Sequence, residues 1–246
     1  MKRLSLAVAL AFAAGPALAA DLPQPPPPQA PATYVPVVAP VYNWGGIYWG
    51  INGGYGFGTS EWTDPNNASG VSSTGDFSTN GFVVGPTLGF NVQSDAWVFG
   101  LEGDFDSSWL DGKQSGTYCS TLGFGTAQCE TKNTWLGTFR ARAGYAADRV
   151  LFYVTGGGAY GNIEAGVGGL NKSSEPGWTA GAGVEAAFAD NWTARIEYLF
   201  VDLKDATCNT ANPCGNDLIG GVPVPANQTV KFDANLIRFG VDYKFR

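Results

Sequence analysis

Apolar and polar residues alternate along the final segment of the chain, residues 230–245. Phe239 and Val241 fall on one side of an extended strand, with Arg238 and Asp242 on the other, because strand side chains alternate with period two. Seven further segments are strand-like: 46–58, 80–93, 96–107, 132–147, 150–163, 177–188 and 192–204. The pattern predicts an all-β chain of eight strands. It leaves the outward face of 150–163 open, because that segment contains three consecutive glycines.

Short and long connections alternate between these segments. The short ones are 94–95, 148–149 and 189–191, and the long ones are 59–79, 108–131, 164–176 and 205–229. Outer-membrane barrels have tight periplasmic turns and longer extracellular loops, whereas a soluble sandwich has no reason to sort loops by end. We therefore expect an eight-stranded antiparallel transmembrane β-barrel with both chain ends on the periplasmic side.

Charged residues share one face of the predicted strands, opposite the apolar face. An arginine that faces lipid near the bilayer midplane costs roughly 2–4 kcal/mol, so the charged face has to point into the barrel. The predicted lumen charge network is Glu102, Asp104, Arg140, Arg142, Glu185, Arg195, Glu197, Arg238 and Asp242. Because this set mixes both signs, we expect a paired polar plug, since unpaired buried charges are expensive. A narrow ion path along the same groups is the alternative.

Aromatic residues gather near both ends of the predicted strands. Those near the short connections are Phe90, Trp97, Tyr145, Phe188, Trp192, Tyr243 and Phe245, and those near the long connections are Phe57, Phe82, Phe105, Trp135, Tyr160, Trp178 and Phe200. Trp and Tyr favour the headgroup level of a bilayer because their rings are amphipathic. Two such bands indicate a barrel that crosses a membrane.

The chain begins with the features of an export signal. Lys2 and Arg3 precede an apolar run at 4–14, which is shorter than the roughly 20 residues of a spanning helix. Small residues follow, and an A-x-A pattern predicts cleavage at Ala19 and Ala20. The expected organisation is a signal peptide at 1–20, a Pro-rich periplasmic linker at 21–42 and an outer-membrane barrel domain at 43–246. The linker is expected to be an extended spacer, with a partner-binding peptide as the alternative.

Charge and cysteine content narrow the class of protein. Without the signal the chain carries 12 basic and 21 acidic residues, which argues against nucleic acid or anionic lipid as the main partner. The four cysteines form two close pairs, Cys119 with Cys129 and Cys208 with Cys214. In an exported protein this spacing favours two disulfides within loops. A zinc site is disfavoured because the spacing is unsuitable and the chain has no histidine.

Catalysis is not expected from this sequence. Outer-membrane lipases, acyltransferases and proteases commonly rely on a histidine as general base, and the chain has none. The remaining acid–base candidates are Asp104, Asp106, Asp202 and Asp205, which we expect to be solvated near the barrel rim. We predict neither an enzyme nor a bound cofactor.

Three blocks resemble a known family. They are NWGGIYWGINGGYGFG at 43–58, RARAGYAADRVLFYVTGGGAYG at 140–161 and GWTAGAGVEAAFADNWTARIEYLFVDL at 177–203. They look like the small outer-membrane immunogenic proteins of alphaproteobacteria, and the likeness extends over nearly all of the chain after the signal.

The resemblance implies a barrel similar to the OmpA membrane domain, often labelled porin-like and associated with envelope integrity and surface antigenicity. Some members bind haem, but without the signal the chain has neither histidine nor methionine, so that activity is not carried over. Many outer-membrane barrels end in an aromatic residue that the barrel-assembly machinery recognises, whereas here Arg246 follows Phe245.

The resulting functional hypothesis is a structural outer-membrane protein that supports the envelope and displays its loops. Its expected partners are outer-membrane lipids and the assembly machinery. One alternative is a low-conductance porin for small solutes. Another is a surface ligand or adhesion module that uses the loops at 108–131 and 205–229.

Overall fold

The structure is a computed structural model that describes residues 42–64, 72–122, 128–167, 170–208, 217–219, 222–224 and 228–245. The predicted signal peptide at 1–20, with its cleavage site at Ala19 and Ala20, lies outside these residues. So do Cys214 and all of the predicted linker except Tyr42. Within the described ranges no helix is long and apolar enough to cross a membrane.

Eight long strands close into an antiparallel barrel, which confirms the predicted fold class. The strands are β1 (Gly46–Thr63), β2 (Phe77–Ser94), β3 (Trp97–Gln114), β4 (Cys129–Ala147), β5 (Val150–Val167), β6 (Asn171–Ala187), β7 (Trp192–Cys208) and β10 (Gln228–Lys244). Long strands that follow one another in the chain are paired, and β10 closes the cylinder against β1. The connections carry a short helix, α1 (Thr117–Leu122), and a hairpin of β8 (Asp217–Ile219) and β9 (Val222–Val224).

Tight connections lie at one end of the barrel, which we call the turn end; the opposite end is the loop end. The tight connections are 95–96, 148–149 and 188–191. Asp95 and Asp148 have positive φ angles of 53° and 51°. Aspartate tolerates this left-handed conformation because its short side chain can hydrogen-bond to nearby backbone. The turns therefore lie within one residue of their predicted positions, at the end that is periplasmic in outer-membrane barrels.

At the loop end the strands run further than the sequence pattern predicts. The predicted long loop at 164–176 is wrong, since β5 and β6 continue into it and Glu164 pairs with Lys172. Ile163 is buried inside the barrel, so packing supports the ladder there. The exposed side chains of Lys172 and Ser174 are polar, which is why this stretch resembles a loop. The other connections at this end are 64–76, 115–128 and 209–227.

The two faces of β10 exchange character part-way along the strand. Near the turn end, Phe239 is 62% exposed on the outer wall and Arg238 is 1% exposed inside the barrel. Near the loop end, Phe232 is buried inside and Lys231 is exposed outside. The exchange falls at 236–237, where two apolar residues are adjacent. A strand that leaves lipid for water needs this exchange, because its outer neighbours change from hydrocarbon to solvent.

The length of the strands agrees with an exit from the membrane. β7 makes the same exchange as β10: Ile196 and Tyr198 are exposed outside, whereas Val201 and Leu203 are buried inside. The barrel strands have 17 to 19 residues. At about 3.3 Å per residue and the usual tilt they rise about 45 Å, whereas the apolar band of such barrels is about 25 Å tall. The loop-end part of the barrel therefore stands in water.

The outer wall between the turn end and the point of exchange carries exposed apolar side chains such as Leu101, Ile196 and Phe239, and we call this band the belt. Aromatic rings mark both edges of the belt. At the turn end the rings of Trp97 and Tyr145 meet edge-on, with centroids 5.7 Å apart. At the other edge Trp135 contacts Phe105 and Tyr160, each at a centroid distance of 5.5 Å. All of these side chains lie on the outer wall, where amphipathic rings match the interfacial level.

β5, whose faces the sequence pattern leaves open, is assigned by the structure. Tyr153 and Thr155 point into the barrel, while Phe152 and Val154 are exposed on the outer wall. Large apolar side chains therefore continue the belt across the strand that contains the three glycines.

A charge on the belt is expected to cost far more than the same charge above it. Leu101 is exposed on the outer wall, four residues from both Trp97 and Phe105. We expect Leu101→Arg to lower the free energy of unfolding by roughly 2–4 kcal/mol. Ser174 is exposed near the loop end, and Ser174→Arg is expected to change this free energy by less than about 0.5 kcal/mol. Urea unfolding in lipid vesicles measures both changes, and equal losses would contradict the position of the belt.

Candidate functional site in the barrel interior

Ten charged side chains meet inside the turn-end part of the barrel, and we call them the ion-pair cluster. They are Glu102, Asp104 and Asp106 of β3, Arg140 and Arg142 of β4, Glu185 of β6, Arg195 and Glu197 of β7, and Arg238 and Asp242 of β10. All ten are buried. Each lies on the inward face because its neighbours in sequence are the apolar side chains of the belt.

Two arginines share their carboxylate partners at the centre of the cluster. Arg140 pairs with Glu102, with Asp104 at 2.7 Å and with Glu197 at 3.1 Å. Arg238 pairs with the same Asp104 at 3.1 Å and the same Glu197 at 2.6 Å. Shared, charge-assisted hydrogen bonds of this kind are among the stronger polar contacts in a protein interior. They link β3, β4, β7 and β10 across the lumen.

A second group of contacts surrounds Glu102 on the turn-end side. Arg195 pairs with Glu102 and donates to Thr87 Oγ1 at 2.9 Å. The hydroxyl of Tyr48 donates to Glu102 Oε2 at 2.6 Å and accepts from Arg142 at 2.9 Å. Glu102 therefore joins Arg140, described above, to both of these arginines and is the most connected acid in the cluster.

Arg142 and Asp242 occupy the turn-end edge of the cluster. Arg142 donates to Glu185 Oε2 at 2.7 Å, and its guanidinium lies 4.0 Å from the ring centroid of Tyr153, within cation–π range. Asp242 is paired less closely, since its nearest cationic atom is Arg195 Nε at 3.5 Å and neither carboxylate oxygen accepts a hydrogen bond from a described residue. The cluster holds six carboxylates and four guanidinium groups, so Asp242 is its least compensated charge.

Two glycines lie where an added Cβ atom would collide with an arginine of the cluster or with its strand. A Cβ atom on Gly157 would lie 2.7 Å from Arg140 Cα, which pairs with it across β4 and β5. A Cβ atom on Gly240 would lie 2.7 Å from Arg195 Nε. Real Cβ atoms essentially never come this close to other atoms, so these positions require glycine. Gly157, the middle residue of the triple glycine, and Gly240 therefore belong to the architecture of the cluster.

The structure brings together all nine residues of the predicted lumen network. It adds Asp106, which is fully buried and accepts from Arg238 at 2.7 Å, so the expectation of a solvated rim carboxylate is wrong for Asp106 and for Asp104. Asp202 and Asp205 do lie at partly or fully exposed positions. The period-two phase with Glu102 is the signal that places Asp106 inside. Alternation does not reveal Tyr48 as a polar partner of the cluster. It lies between Ile47 and Trp49, and its aromatic ring gives no contrast with these outward residues.

An apolar core fills the barrel on the loop-end side of the ion-pair cluster, where the sequence pattern gives no such prediction. Its largest fully buried side chains are Trp62, Leu110, Leu136, Ile163, Leu199, Leu203 and Leu236. The indole N–H of Trp62 donates to Thr131 Oγ1 at 2.9 Å, so its polar atom is satisfied. The ion-pair cluster and the apolar core are therefore two consecutive layers of the lumen, one ionic and one apolar.

A disulfide closes the edge of this apolar core. Cys119 of α1 is bonded to Cys129 at the start of β4, with the two Cα atoms 5.3 Å apart and both residues buried. Tyr118 is buried beside them. The bond ties the described part of the connection between β3 and β4 to the barrel. The second predicted pair, Cys208 with Cys214, is not described because Cys214 lies outside the described residues.

No group of three or more His, Cys, Asp or Glu side chains is arranged to hold a metal ion within the part of the chain that the structure describes. The described carboxylates of the cluster are instead directed at guanidinium groups. These ion pairs therefore hold strands of the barrel wall together from inside.

A closed barrel with an apolar outer belt, aromatic edges and a charged interior defines a transmembrane β-barrel of the outer-membrane type. Residues 4–245 match the family model described as "Outer membrane protein beta-barrel domain". The chain belongs to this family, and its location is the outer membrane.

Curated relatives agree with this assignment over most of their length. The chain is 37% identical to the 31 kDa outer-membrane immunogenic protein of Brucella melitensis, covering 100% of both chains. It is 32% identical to the 25 kDa outer-membrane immunogenic protein of Brucella canis, covering 93% of this chain and 91% of the relative. It is also 29% identical to the 22 kDa outer membrane protein of Rhizobium leguminosarum bv. viciae, covering 85% and 81% respectively. The predicted resemblance is thereby confirmed.

Removing one guanidinium from the cluster is expected to destabilise the barrel strongly. Arg140→Met leaves Glu102, Asp104 and Glu197 with fewer cationic partners, and breaking a buried pair in this way costs about 3–5 kcal/mol. Arg149 pairs with Asp190 at 3.4 Å on the exposed surface of the turn end, so Arg149→Met is expected to cost less than about 1 kcal/mol. Urea unfolding in vesicles compares the two variants, and similar losses would contradict the role of the cluster.

Proposed function

We propose that this protein is a structural, non-conducting barrel that supports the outer membrane and displays its loop-end surface outside the cell. The observation that carries the proposal is a lumen occupied first by the ion-pair cluster and then by the apolar core. Eight strands enclose a space that side chains can fill, and here they fill it.

The geometry disfavours the alternative of a low-conductance porin. An ion path along the cluster requires contacts such as Arg140 with Glu197 and Arg238 with Asp106 to separate together. Each uncompensated buried charge costs several kcal/mol, so an opening that separates several pairs is rare. Even then the apolar core, in which Leu199 and Leu236 are fully buried, still lies across the path.

Surface display is supported by the way the barrel projects beyond the belt. Near the loop end the outward side chains of Lys113, Lys172 and Lys231 are exposed, while the inward ones form the apolar core. The disulfide between Cys119 and Cys129 braces one of the connections at this end. The names of the Brucella relatives describe them as immunogenic, which fits a protein whose loop end is accessible from outside.

The proposal includes no catalytic role. The chain contains no histidine, and Asp104 and Asp106 are held by Arg140 and Arg238 inside the barrel. Carboxylates that are buried and paired in this way have no access to a substrate.

Conductance of the purified protein in planar bilayers tests the closed lumen. We expect no steady current above that of the protein-free bilayer, because both lumen layers have to open for ions to pass. A steady, large conductance would overturn the proposal. Under the porin alternative, Arg142→Gln or Arg195→Gln alters ion selectivity, whereas Arg149→Gln, outside the lumen, is the matched control.

The two parts of the proposed function, envelope support and surface display, can be tested separately by removing the connection at 209–227. Cells that lack the protein are expected to be more sensitive to detergent than the parent cells. A variant in which Asn-Gly replaces residues 209–227 keeps the eight long strands, because two residues are enough for a hairpin turn between β7 and β10. It should therefore restore detergent resistance while removing part of the surface that antibodies reach. If only the full-length protein restored resistance, the support function would belong to the loop and not to the barrel.

A further inference from the structure

A short segment before β1 crosses the turn end of the barrel, and we call residues 42–45 the strap. Tyr42 and Trp44 are 5% and 1% exposed, although the sequence pattern assigns Tyr42 to a solvated linker. Their rings meet edge-on with centroids 4.9 Å apart. The Tyr42 ring also faces Lys244, whose Nζ lies 4.7 Å from the ring centroid. The strap is therefore packed into the mouth of the barrel.

Hydrogen bonds fasten the strap to two separate strand pairs. The backbone N–H of Tyr42 donates to Asp148 Oδ1 at 3.1 Å, and the indole N–H of Trp44 donates to the carbonyl oxygen of Asp148 at 3.0 Å. The backbone N–H of Trp44 donates to Gln93 Oε1 at 2.6 Å. Because Gln93 is the last residue but one of β2 whereas Asp148 lies in the turn between β4 and β5, the strap spans the mouth.

The two rings complete an apolar layer between the mouth and the ion-pair cluster. Val98, Ala146, Leu151 and Ala187 are buried in this layer together with Tyr42, Trp44 and Tyr153. The hydroxyl of Tyr153 donates to Glu197 Oε2 at 3.0 Å, so the layer lies directly against the cluster. Most of the side chains that the barrel wall contributes to this layer are small or aliphatic. The largest side chain in the layer, that of Trp44, comes from the strap.

We propose that the strap is a stopper for the periplasmic end of the lumen. In place, it keeps water away from the ion-pair cluster. When displaced, it opens a pocket that reaches Arg142, Glu185 and Asp242 from the periplasm, while the apolar core keeps the loop end closed.

Labelling of a buried reporter tests the stopper. Val98 is 1% exposed beneath the strap, and Val98→Cys places a thiol there at little change in volume. The full chain in detergent micelles is treated with a small water-soluble maleimide, and a sample without Val98→Cys supplies the background. With the strap intact we expect slow labelling, limited by local opening.

Removal of the Trp44 ring is the decisive variant. Trp44→Ala should raise the labelling rate of the Val98→Cys thiol at least about tenfold, because loss of a buried indole favours local opening strongly. Trp49→Ala is the matched control: it removes the same ring five residues later, but from the outer wall, where Trp49 is exposed. Heat-modifiable migration on gels confirms that each variant still forms a barrel.

A second variant keeps both rings and removes two of the three hydrogen-bond acceptors that fasten the strap. Gln93→Met removes the acceptor for the Trp44 backbone, and Asp148→Gly removes the acceptor for the Tyr42 backbone while tolerating the positive φ of that position. The combined variant should also accelerate labelling. If Trp44→Ala does not form a barrel, the labelling rate of the Val98→Cys thiol in the combined variant decides instead.

The stopper is overturned if the variants label at the same rate as the chain with an intact strap, or if Trp49→Ala accelerates labelling equally. Acceleration by the strap variants alone supports it. Conductance tests the closed lumen separately, because the apolar core at the loop end remains in all of these variants. A conducting wild-type barrel would therefore contradict the proposed function without deciding the role of the strap.

Discussion

The structure depends on one constraint: a charge on the membrane-spanning part of the wall cannot face lipid. Ten charged side chains in the turn-end part of the barrel are consequently directed inward, where they are buried together. Burial is tolerable because they compensate one another, with Asp104 and Glu197 each held by Arg140 and Arg238. The same constraint leaves the outer wall to apolar and aromatic residues. Outer belt and inner cluster are thus two results of one energetic requirement.

Above the belt the requirement reverses, and the structure reverses with it. Once the outer wall meets water, polar residues such as Lys231 face outward and apolar residues such as Phe232 turn inward. The interior then resembles the core of a soluble barrel, with Trp62 and Leu199 fully buried. From the turn end, the lumen holds a thin apolar layer that includes the strap, the ion-pair cluster, and the larger apolar core. Three filled layers are consistent with support of the membrane more than with transport through it.

The parts of the structure that follow from period two could be predicted from the sequence. Strand number, belt and lumen charges all follow from which residues share a face, and the cost of a lipid-facing arginine fixes which face is inside. The segment 164–176 was not recognisable as strand, because its outward residues meet water and its pattern lacks an apolar outer face. The adjacent apolar residues at 236–237 mark the reversal in the sequence, but only a known fold shows that this is where the strand leaves lipid.

Contacts between distant segments could not be predicted in this way. The strap depends on Trp44 meeting Asp148, and the centre of the cluster depends on which arginine reaches which carboxylate. Such pairings are set by barrel closure and strand register, whereas alternation fixes only the direction of each side chain. Asp106 shows the difference: its phase places it inside, but only closure of the barrel, which sets β3 across the lumen from β10, places it against Arg238.

The reversal of the two faces along β10 is the most direct test of this account. Nitroxide spin labels on introduced cysteines at the outward positions 231, 233, 235, 237, 239 and 241, in lipid vesicles, report whether each site meets hydrocarbon or water. We predict that 237, 239 and 241 are accessible to oxygen dissolved in the bilayer, whereas 231, 233 and 235 are accessible to a water-soluble nickel complex. The same accessibility at all six positions would contradict the claim that the strand passes from lipid into water while its apolar face turns from outside to inside.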